Sequence, residues 1–242
     1  MEKAMYPSPY IRITQKHGVG SHVDSFAIDE AGSDGGIDFI NAPFTGIVKR
    51  IYTKDANEVW LESVEPVLFA DGTQDYMTIL VAHDNNVSNL KEGQIIKQGQ
   101  RFYEEGTKGQ ATGNHIHLEV AKGKFTGTGW FKNKAGYWSI VNGKKVDECL
   151  FIDDSYKILD TAGYNFKNVK SLESNSKEKE LQNRITELEF QLSNNKMVQE
   201  DLEKEIILLK EQLANQPRKI FTSKQDKYYK IYLYKDEELF VR

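Results

Sequence analysis

The sequence has a single cysteine, Cys149, among its 242 residues. One thiol cannot form an intramolecular disulfide, and it excludes a metal site built from several cysteines. Any metal that the chain binds must therefore be held by histidine and carboxylate side chains. There are five histidines in the whole chain, so each can be considered separately.

Long apolar runs are also missing. No stretch of about eighteen apolar residues occurs, and the start, "MEKAMYPSPYIRITQ", lacks the charged, apolar and small-residue order of a secretory signal. We therefore expect synthesis in the cytoplasm without a signal peptide, and no membrane partner. The net charge is only −4, which predicts no nucleic-acid partner, and the basic residues concentrate in the last segment.

The first 165 residues alternate short β-rich runs with turn signals. "GIVKRIY", "EVWLESV", "DYMTILVAH" and "IHLEVA" are separated by stretches such as "ADGT" and "TKGQATGN". This alternation predicts a mainly β domain over residues 1–165, with an antiparallel sheet and long functional loops.

Residues 171–216 contain no glycine and no proline, which favours a helix. Their apolar side chains keep one heptad frame, with leucine at d and isoleucine or leucine at a: Leu181, Leu188, Leu202 and Leu209 at d, and Ile185, Leu192, Ile206 and Leu213 at a. This pattern predicts a coiled coil over residues 171–216.

Polar and charged residues of the same helix indicate how it associates. Asn195 and Gln199 occupy one d and one a position, where a polar side chain can fix register. In a parallel pair, Arg184 would meet Glu189 of the other helix, and Glu205 would meet Lys210. We predict self-association as a parallel dimer; the alternative is a lone helix packed on the β domain.

The stretch "GQATGNHIHLEVAKG" holds two histidines separated by one isoleucine. Residues two apart on a strand share a face, so His115, His117 and Glu119 project one way, and the aliphatic residues between them project into the core. Taken alone, such a pair is more often structural than functional.

Two other stretches offer suitable partners. "SHVDSFAIDEAG" contains His22 and Asp29, and "YMTILVAHD" places His83 at the end of a strand. Two neutral imidazoles and one carboxylate can hold a catalytic zinc while leaving a tetrahedral position open for water. The remaining histidines could then transfer protons.

The motifs "SHVDSFAID", "VAHD" and "ATGNHIHLEV", in this order, resemble the three signatures of the lysostaphin-type zinc endopeptidases, which cut peptide stems or bridges of bacterial peptidoglycan. The resemblance covers roughly residues 15–150. It implies that His22, Asp29 and His117 bind Zn²⁺. It also implies that His83 and His115 are catalytic histidines that position and deprotonate the attacking water and stabilise the oxyanion.

The first motif departs from the family's commonest form, in which the aspartate follows the histidine by four residues, where this chain has Phe26. The longer interval here resembles that of phage members. Asp24 and Asp38 are alternatives as the ligand, and Asp29 is preferred because "AID" matches the apolar-Asp ending of the motif.

Residues around these motifs complete the predicted site. The glycines of "GTKGQATGN" allow close approach to a substrate backbone. Four aromatic residues could line a substrate groove or lie in the core: Trp60, Trp130, Tyr137 and Trp138. His17 precedes a glycine in a loop, and we predict that it is exposed and without a role.

The resemblance predicts a zinc endopeptidase of phage endolysin type that acts on the cell wall after release. Because the ligands and the base must be neutral imidazoles, activity should fail below about pH 6, near the ordinary pKa of histidine. Two alternatives are a virion-associated component that opens the wall and a non-catalytic regulator of other wall hydrolases. The complete ligand set disfavours the regulator.

The last segment, residues 217–242, is basic and rich in tyrosine, with one or two strand-like runs. Twenty-six residues cannot bury a core alone. The segment is a possible wall-binding element, since its positive charge suits anionic wall polymers and its tyrosines suit sugars: Tyr228, Tyr229, Tyr232 and Tyr234. A solubilising or dimer-locking extension is an equal alternative.

Overall fold

The computed structural model of the chain describes residues 1–32, 36–125, 130–214, 221–225, 228–233 and 237–241. Short runs of β-branched and aromatic residues form most of its strands, because such side chains pack well on a pleated surface. The first nine strands are β1 (Tyr10–Gln15), β2 (Ile28–Glu30), β3 (Phe39–Asn41), β4 (Gly46–Tyr52), β5 (Glu58–Ser63), β6 (Val67–Leu68), β7 (Gln74–Asp75), β8 (Met77–Ala82) and β9 (Ile95–Ile96).

Further strands and three helical segments follow or intervene. The strands are β10 (Arg101–Glu104), β11 (Ile116–Lys122), β12 (Trp130–Lys132), β13 (Trp138–Ile140), β14 (Gly143–Lys144), β15 (Phe151–Ile152), β16 (Lys157–Asp160) and β17 (Lys167–Asn168). The helical segments are a 3-10 turn (Gly20–His22), α1 (Val146–Cys149) and α2 (Val169–Ala214).

The main sheet has nine strands in the order β16-β1-β2-β11-β8-β5-β4-β9, with β14 pairing β11 off this path. Apart from the parallel pair β1 and β16, its described pairings are antiparallel. The prediction of a mainly β, antiparallel domain is therefore confirmed.

The alternation of side chains along the central strands gives the sheet two chemically different faces. On β11, Ile116, Leu118 and Val120 are fully buried in the main hydrophobic core. His117 and Glu119 project to the opposite face. The aliphatic half of "HIHLEV" therefore anchors the strand, and the polar half lies on the face that carries the site.

Strand register decides which residues of the polar face become neighbours. His117 lies opposite Asp29 of β2 on one side and opposite Ala82 of β8 on the other. His83 follows directly after the end of β8. The three predicted motifs thus come from three adjacent strands, β2, β11 and β8, and meet at one end of the sheet.

Helix α2 begins at Val169, two residues before the predicted start, and runs to Ala214. Its described a and d side chains are exposed in the single chain, from Leu181 to Leu209. The coiled coil therefore stays a prediction. Within the described residues, no helix is long and apolar enough to cross a membrane.

The C-terminal segment forms an antiparallel sheet of three strands, β18 (Phe221–Gln225), β19 (Tyr228–Leu233) and β20 (Glu237–Val241). The sequence predicted one or two strands, so this part of the prediction was too low. Tyr234 lies outside the described residues.

Candidate metal centre and active site

His22, Asp29 and His117 come together as a group of possible metal ligands. One ligand atom from each side chain lies within 4.8 Å of the others. The Asp29 Oδ1 atom is 3.1 Å from His22 Nε2 and 3.3 Å from His117 Nδ1. These are the three residues that the motifs predicted as ligands.

The spacing of these donors fits a zinc ion. Ligand atoms about 2.0–2.1 Å from a tetrahedral zinc lie about 3.3 Å from one another. Both distances from Asp29 Oδ1, 3.1 and 3.3 Å, are close to that value. Two imidazole nitrogens and one carboxylate oxygen are also a donor set that zinc commonly takes in enzymes. The residues present therefore fit the metal that the sequence predicts.

The structure places the two alternative aspartates away from this group. Asp24 is paired with Lys134 on the surface, at 3.0 Å. Asp38 lies beside Glu105, whose carboxylate accepts a hydrogen bond from the Asp38 backbone N–H at 3.3 Å. Of the three candidates, Asp29 is the one that faces both histidines.

His22 reaches the centre from the 3-10 turn (Gly20–His22). Gly20, which opens the turn, has φ +55°, a conformation that glycine adopts without strain. The His22 side chain is buried, and Nδ1, its second ring nitrogen, has no hydrogen-bond partner among the described residues. The Nε2 atom faces Asp29 and is the one available to a metal.

Glu119 fixes the orientation of His117. The Nε2 atom of His117 lies 3.0 Å from Glu119 Oε1, which leaves Nδ1 facing Asp29. Glu119 is itself held, since its Oε2 accepts a hydrogen bond from the Ile140 backbone N–H at 2.8 Å. A carboxylate behind a ligating histidine raises its basicity and fixes its ring. The sequence placed Glu119 on this face but gave it no role; the two-residue spacing from His117 was the available signal.

His83 and His115 lie beside the predicted ligands with one ring nitrogen each held by a backbone carbonyl. His83 Nδ1 donates to the Lys108 carbonyl oxygen and His115 Nδ1 donates to that of Gly113, both at 2.8 Å. This fixes Nε2 as the unprotonated atom in each neutral ring. The two rings are 4.6 Å apart, and His115 Nε2 is 3.9 Å from Asp29 Oδ1.

The loop before β11 approaches His83 closely because it contains glycine. A Cβ atom at Gly106 would lie 2.2 Å from the His83 carbonyl oxygen, so a larger residue would displace the loop. His83 itself has φ 89°, an unfavourable backbone conformation for a residue with a side chain. Such strain is typical of functional sites.

Burial and the two carboxylates set the protonation of the site. Burial lowers the pKa of His83 to about 4, against the smaller opposing effect of the Lys108 carbonyl. Burial also disfavours a charged His117, but its hydrogen bonds to Asp29 and Glu119 outweigh this and raise its pKa to about 10 in the metal-free protein. The pKa of Asp29 is lowered well below its usual range, since its hydrogen bonds to the two histidines outweigh burial.

The five predicted residues line one cavity of about 620 Å³. Tyr137 and Trp138 form part of its wall and are exposed, as the groove interpretation predicted. Trp60 is only 1% exposed and packs in a second hydrophobic cluster under β13, which fits the core interpretation. The side chain of Trp130 lies outside the described part of the structure.

His17 is half-buried, so the prediction that it is exposed was wrong. Its ring contacts Tyr164 through a hydrogen bond between Nδ1 and the phenol oxygen, and it packs against Phe26 with ring centroids 5.7 Å apart. It takes no part in the cavity that holds the other four histidines. These contacts connect the loop before His22 to Tyr164.

No model of a known protein family matches the sequence. A curated relative, Morphogenesis protein 1 of Bacillus phage B103, is 33% identical over 134 residues, which cover 54% of this chain and 35% of the relative. The match thus spans about a third of the relative's length.

Several solved structures are similar in fold. They include a zinc-containing peptidase from Vibrio cholerae (20% identity, TM-score 0.35, covering 48% of this chain and 37% of that one). They also include the catalytic domain of a prophage-encoded protein from Enterococcus faecalis (21%, 0.36, 47% and 82%) and that of the antimicrobial peptidase lysostaphin from Staphylococcus simulans (16%, 0.36, 58% and 86%). Two of these three are named as peptidases. Because the TM-scores are low, the assignment of function to this chain rests on its own site.

Replacing Glu119 with glutamine should weaken zinc binding about 10- to 100-fold, the usual effect of losing a carboxylate behind a ligating histidine. The amide keeps the size of the side chain and its acceptor for Ile140, so the fold should be retained. Competition with a zinc chelator measures the affinity. Glu65→Gln, an exposed position outside the cavity, is the control. Equal zinc affinity in the two variants would contradict the role of Glu119.

Zinc binding at pH 7 should release about one proton from His117, because a pKa of about 10 keeps this ring protonated in the metal-free protein and only the neutral ring binds metal. Zinc affinity should accordingly fall by about tenfold for each unit of pH lowered in this range. Calorimetry in two buffers with different ionisation enthalpies counts the protons. Release of no proton would show that His117 is already neutral without metal.

The same raised pKa affects the stability of the metal-free protein. A histidine whose pKa is raised by folding contributes stability that is complete below its unfolded value of about 6.5. That contribution is lost as the pH rises through about 10.

Proposed function

We propose that this chain is a zinc metallo-endopeptidase that hydrolyses peptide bonds in the stem or cross-bridge of bacterial peptidoglycan. One observation carries the proposal: three donors at zinc spacing and two further histidines with free Nε2 atoms line the same cavity. Three protein ligands leave a fourth position for a reacting molecule, whereas a structural zinc site is closed by four.

The metal ligands and the two further histidines would have different roles in the reaction. A zinc ion bound here would polarise the scissile carbonyl and lower the pKa of water toward neutrality. His115 and His83 each present an unprotonated Nε2 that can accept the proton of the attacking water. The same atoms can then return a proton to the leaving amine, and in their protonated form they stabilise the oxyanion.

The loss of activity at low pH should come from protonation of the zinc ligands rather than of His83. Its pKa of about 4 keeps His83 neutral throughout the range in which the predicted loss occurs, near pH 6. Protons that compete with zinc for the ligands account for the loss instead.

A digest of purified cell walls tests the reaction class. The zinc-loaded protein should release peptides with new amino termini, detected by mass spectrometry, and should contain one zinc per chain by elemental analysis. Products with cut glycan strands and intact peptides would contradict an endopeptidase.

The biological setting of the enzyme has two versions. We propose a phage endolysin, a chain that reaches the wall when the host cell lyses. The phage relative is called a morphogenesis protein, which favours the alternative of a virion-associated component that opens the wall. Mass spectrometry of purified particles separates the two, since a lysin is absent from them. The intact ligand set does not favour a non-catalytic regulator.

We further propose that α2 associates with a second copy as a parallel coiled coil. The a and d side chains Ile185, Leu188 and Ile206 are each exposed by about half in the single chain, at 47%, 47% and 49%. Pairing would bury this stripe. Arg184, whose partner across the dimer would be Glu189, bonds Glu187 of its own helix at 2.8 Å in the single chain.

Adjacent isoleucines provide a matched test of this dimer. Ile206 lies at an a position and Ile207 at the outer b position of the same frame. Ile206→Lys should raise the dimer dissociation constant by at least about 100-fold, because it places two charges in the seam, whereas Ile207→Lys should leave it unchanged. Sedimentation equilibrium measures both. Equal effects would contradict the frame, and a monomeric unmodified chain would contradict the dimer.

Wall binding by residues 217–242 also stays a proposal. A fluorophore fused to residues 171–242 should label cell walls, with two tails per dimer raising the avidity. Absence of labelling on all walls tested would leave a solubilising or dimer-locking extension.

A further inference from the structure

A smaller recess opens off the cavity that contains the histidines. This side recess has a volume of about 170 Å³ and shares Glu58, Leu80, Trp138 and Ser139 with the main cavity. Its remaining wall comes from Arg50, Tyr52 and Trp60. A recess of this size takes one side chain, while the main cavity has room for the peptide that carries it.

Glu58 is the acidic group of the side recess. It begins β5, on the same face of the sheet as Trp60, and its side chain is half-buried. The described residues give its carboxylate no hydrogen-bond donor and no ion-pair partner. Burial raises the pKa of Glu58. The positive charges of His117 and Arg50 lower it, and the negative charges of Asp55 and Glu119 raise it. A carboxylate in such surroundings is stabilised by an added cation.

The side recess has apolar walls from Trp60, Leu80 and Trp138, and a positive charge from Arg50, whose guanidinium lies 5.7 Å from the centroid of the Tyr52 ring. Leu80 and Trp60 form its floor, and Trp138, which is 57% exposed, stands at the boundary with the main cavity. An indole face attracts a cation and also packs against methylene groups. The apolar faces suit an alkyl stem, and the Glu58 carboxylate suits an ammonium end.

We propose that the side recess binds an alkylammonium side chain of the substrate peptide, with Glu58 as the group that recognises the ammonium. The inference rests on the proposed function, because it assumes that the main cavity holds a peptide. Glu58 is then a specificity residue: it selects a peptide that carries a diamino acid near the cleaved bond.

Binding of short peptides to the zinc-loaded full chain tests this independently of cleavage. The probe is N-acetyl-alanyl-lysyl-alanine amide, compared with its Nε-acetylated counterpart and with a peptide whose only ammonium is at the N-terminus. Tryptophan fluorescence follows binding, since Trp60 and Trp138 line the recess. The free side-chain ammonium should bind about tenfold more tightly than either comparison peptide.

Glu58→Gln should abolish this preference while keeping the shape of the side chain. Asp55→Asn, which removes one negative charge from the main cavity but not from the side recess, should keep it. A wild-type chain without preference, a Glu58→Gln variant that keeps it, or an equal loss in Asp55→Asn would overturn the proposal. Tighter binding of the peptide whose only ammonium is at the N-terminus would also overturn the proposal.

The proposed function fails separately from this inference. Binding of the probe through Glu58 without release of peptides from walls would support the role of the recess and contradict the proposed peptidase activity. Cleavage of walls without a preference for the free ammonium would support the peptidase activity and contradict the role of the recess. In the cutting assay, Glu58→Gln should raise KM for walls with free amines and leave kcat unchanged.

Discussion

His117→Ala should abolish zinc binding and activity together. The replacement removes the ligand that faces Asp29 at 3.3 Å, and it also leaves the buried carboxylate of Glu119 without the imidazole that it bonds. Two protein ligands hold zinc poorly, so we expect an affinity loss greater than the roughly 100-fold upper value for an outer carboxylate. Elemental analysis after dialysis gives the zinc content, and a wall digest gives the activity.

A second ligand variant distinguishes loss of a zinc ligand from misfolding of the chain. His22→Ala removes a ligand from the 3-10 turn and leaves the strand β11 and its Glu119 contact untouched. It should also lose zinc while giving the circular dichroism spectrum of the metal-free wild type. Zinc retained at one equivalent in His117→Ala would overturn the ligand assignment.

His115→Ala should keep zinc and lose activity, the opposite pairing of results. Its Nε2 atom is 3.9 Å from Asp29 Oδ1 and its Nδ1 is held by the Gly113 carbonyl, so it lies beside the metal group without completing it. Loss of a proton-transfer residue typically lowers the rate by about 10²- to 10⁴-fold. The decrease should appear in kcat, with zinc content unchanged.

His83→Ala provides the comparison for His115→Ala. The two rings are 4.6 Å apart and both have a free Nε2, so the variants share the same predicted phenotype of bound zinc and a low kcat. Wild-type activity in both variants would remove the two histidines from the mechanism. Loss of zinc from His115→Ala would instead make it a ligand.

The polar face of β11 was predictable because it depends on local geometry alone. A strand has a period of two, so the spacing of His115, His117 and Glu119 was enough to place these three side chains on one face. The aliphatic residues between them then point to the other face, in the core. The long helix was likewise predictable from composition and heptad spacing. Its start differed by two residues, at Val169.

Two predictions failed, and both depend on contacts that single runs of residues do not show. His17 is half-buried because Tyr164, which is 147 residues away, packs on it. The tail forms three strands because β19 pairs with β18 on one side and with β20 on the other, and single runs of residues do not show which strands will pair.

The sequence by itself determined the chemistry available to this protein: histidine and carboxylate ligands, a two-sided strand, a heptad helix, and motifs that resemble those of one family of zinc endopeptidases. The tertiary structure decided which groups meet. Asp29 is 88 residues from His117 in the sequence, and the register of β2 on β11 places Asp29 at the metal centre. Asp24 and Asp38 lie elsewhere. Backbone carbonyls at Lys108 and Gly113 orient the other two rings, and the side recess brings Glu58 into the same cavity. These contacts join strands and loops that are distant in sequence, so they depend on register and loop closure, which no local pattern specifies.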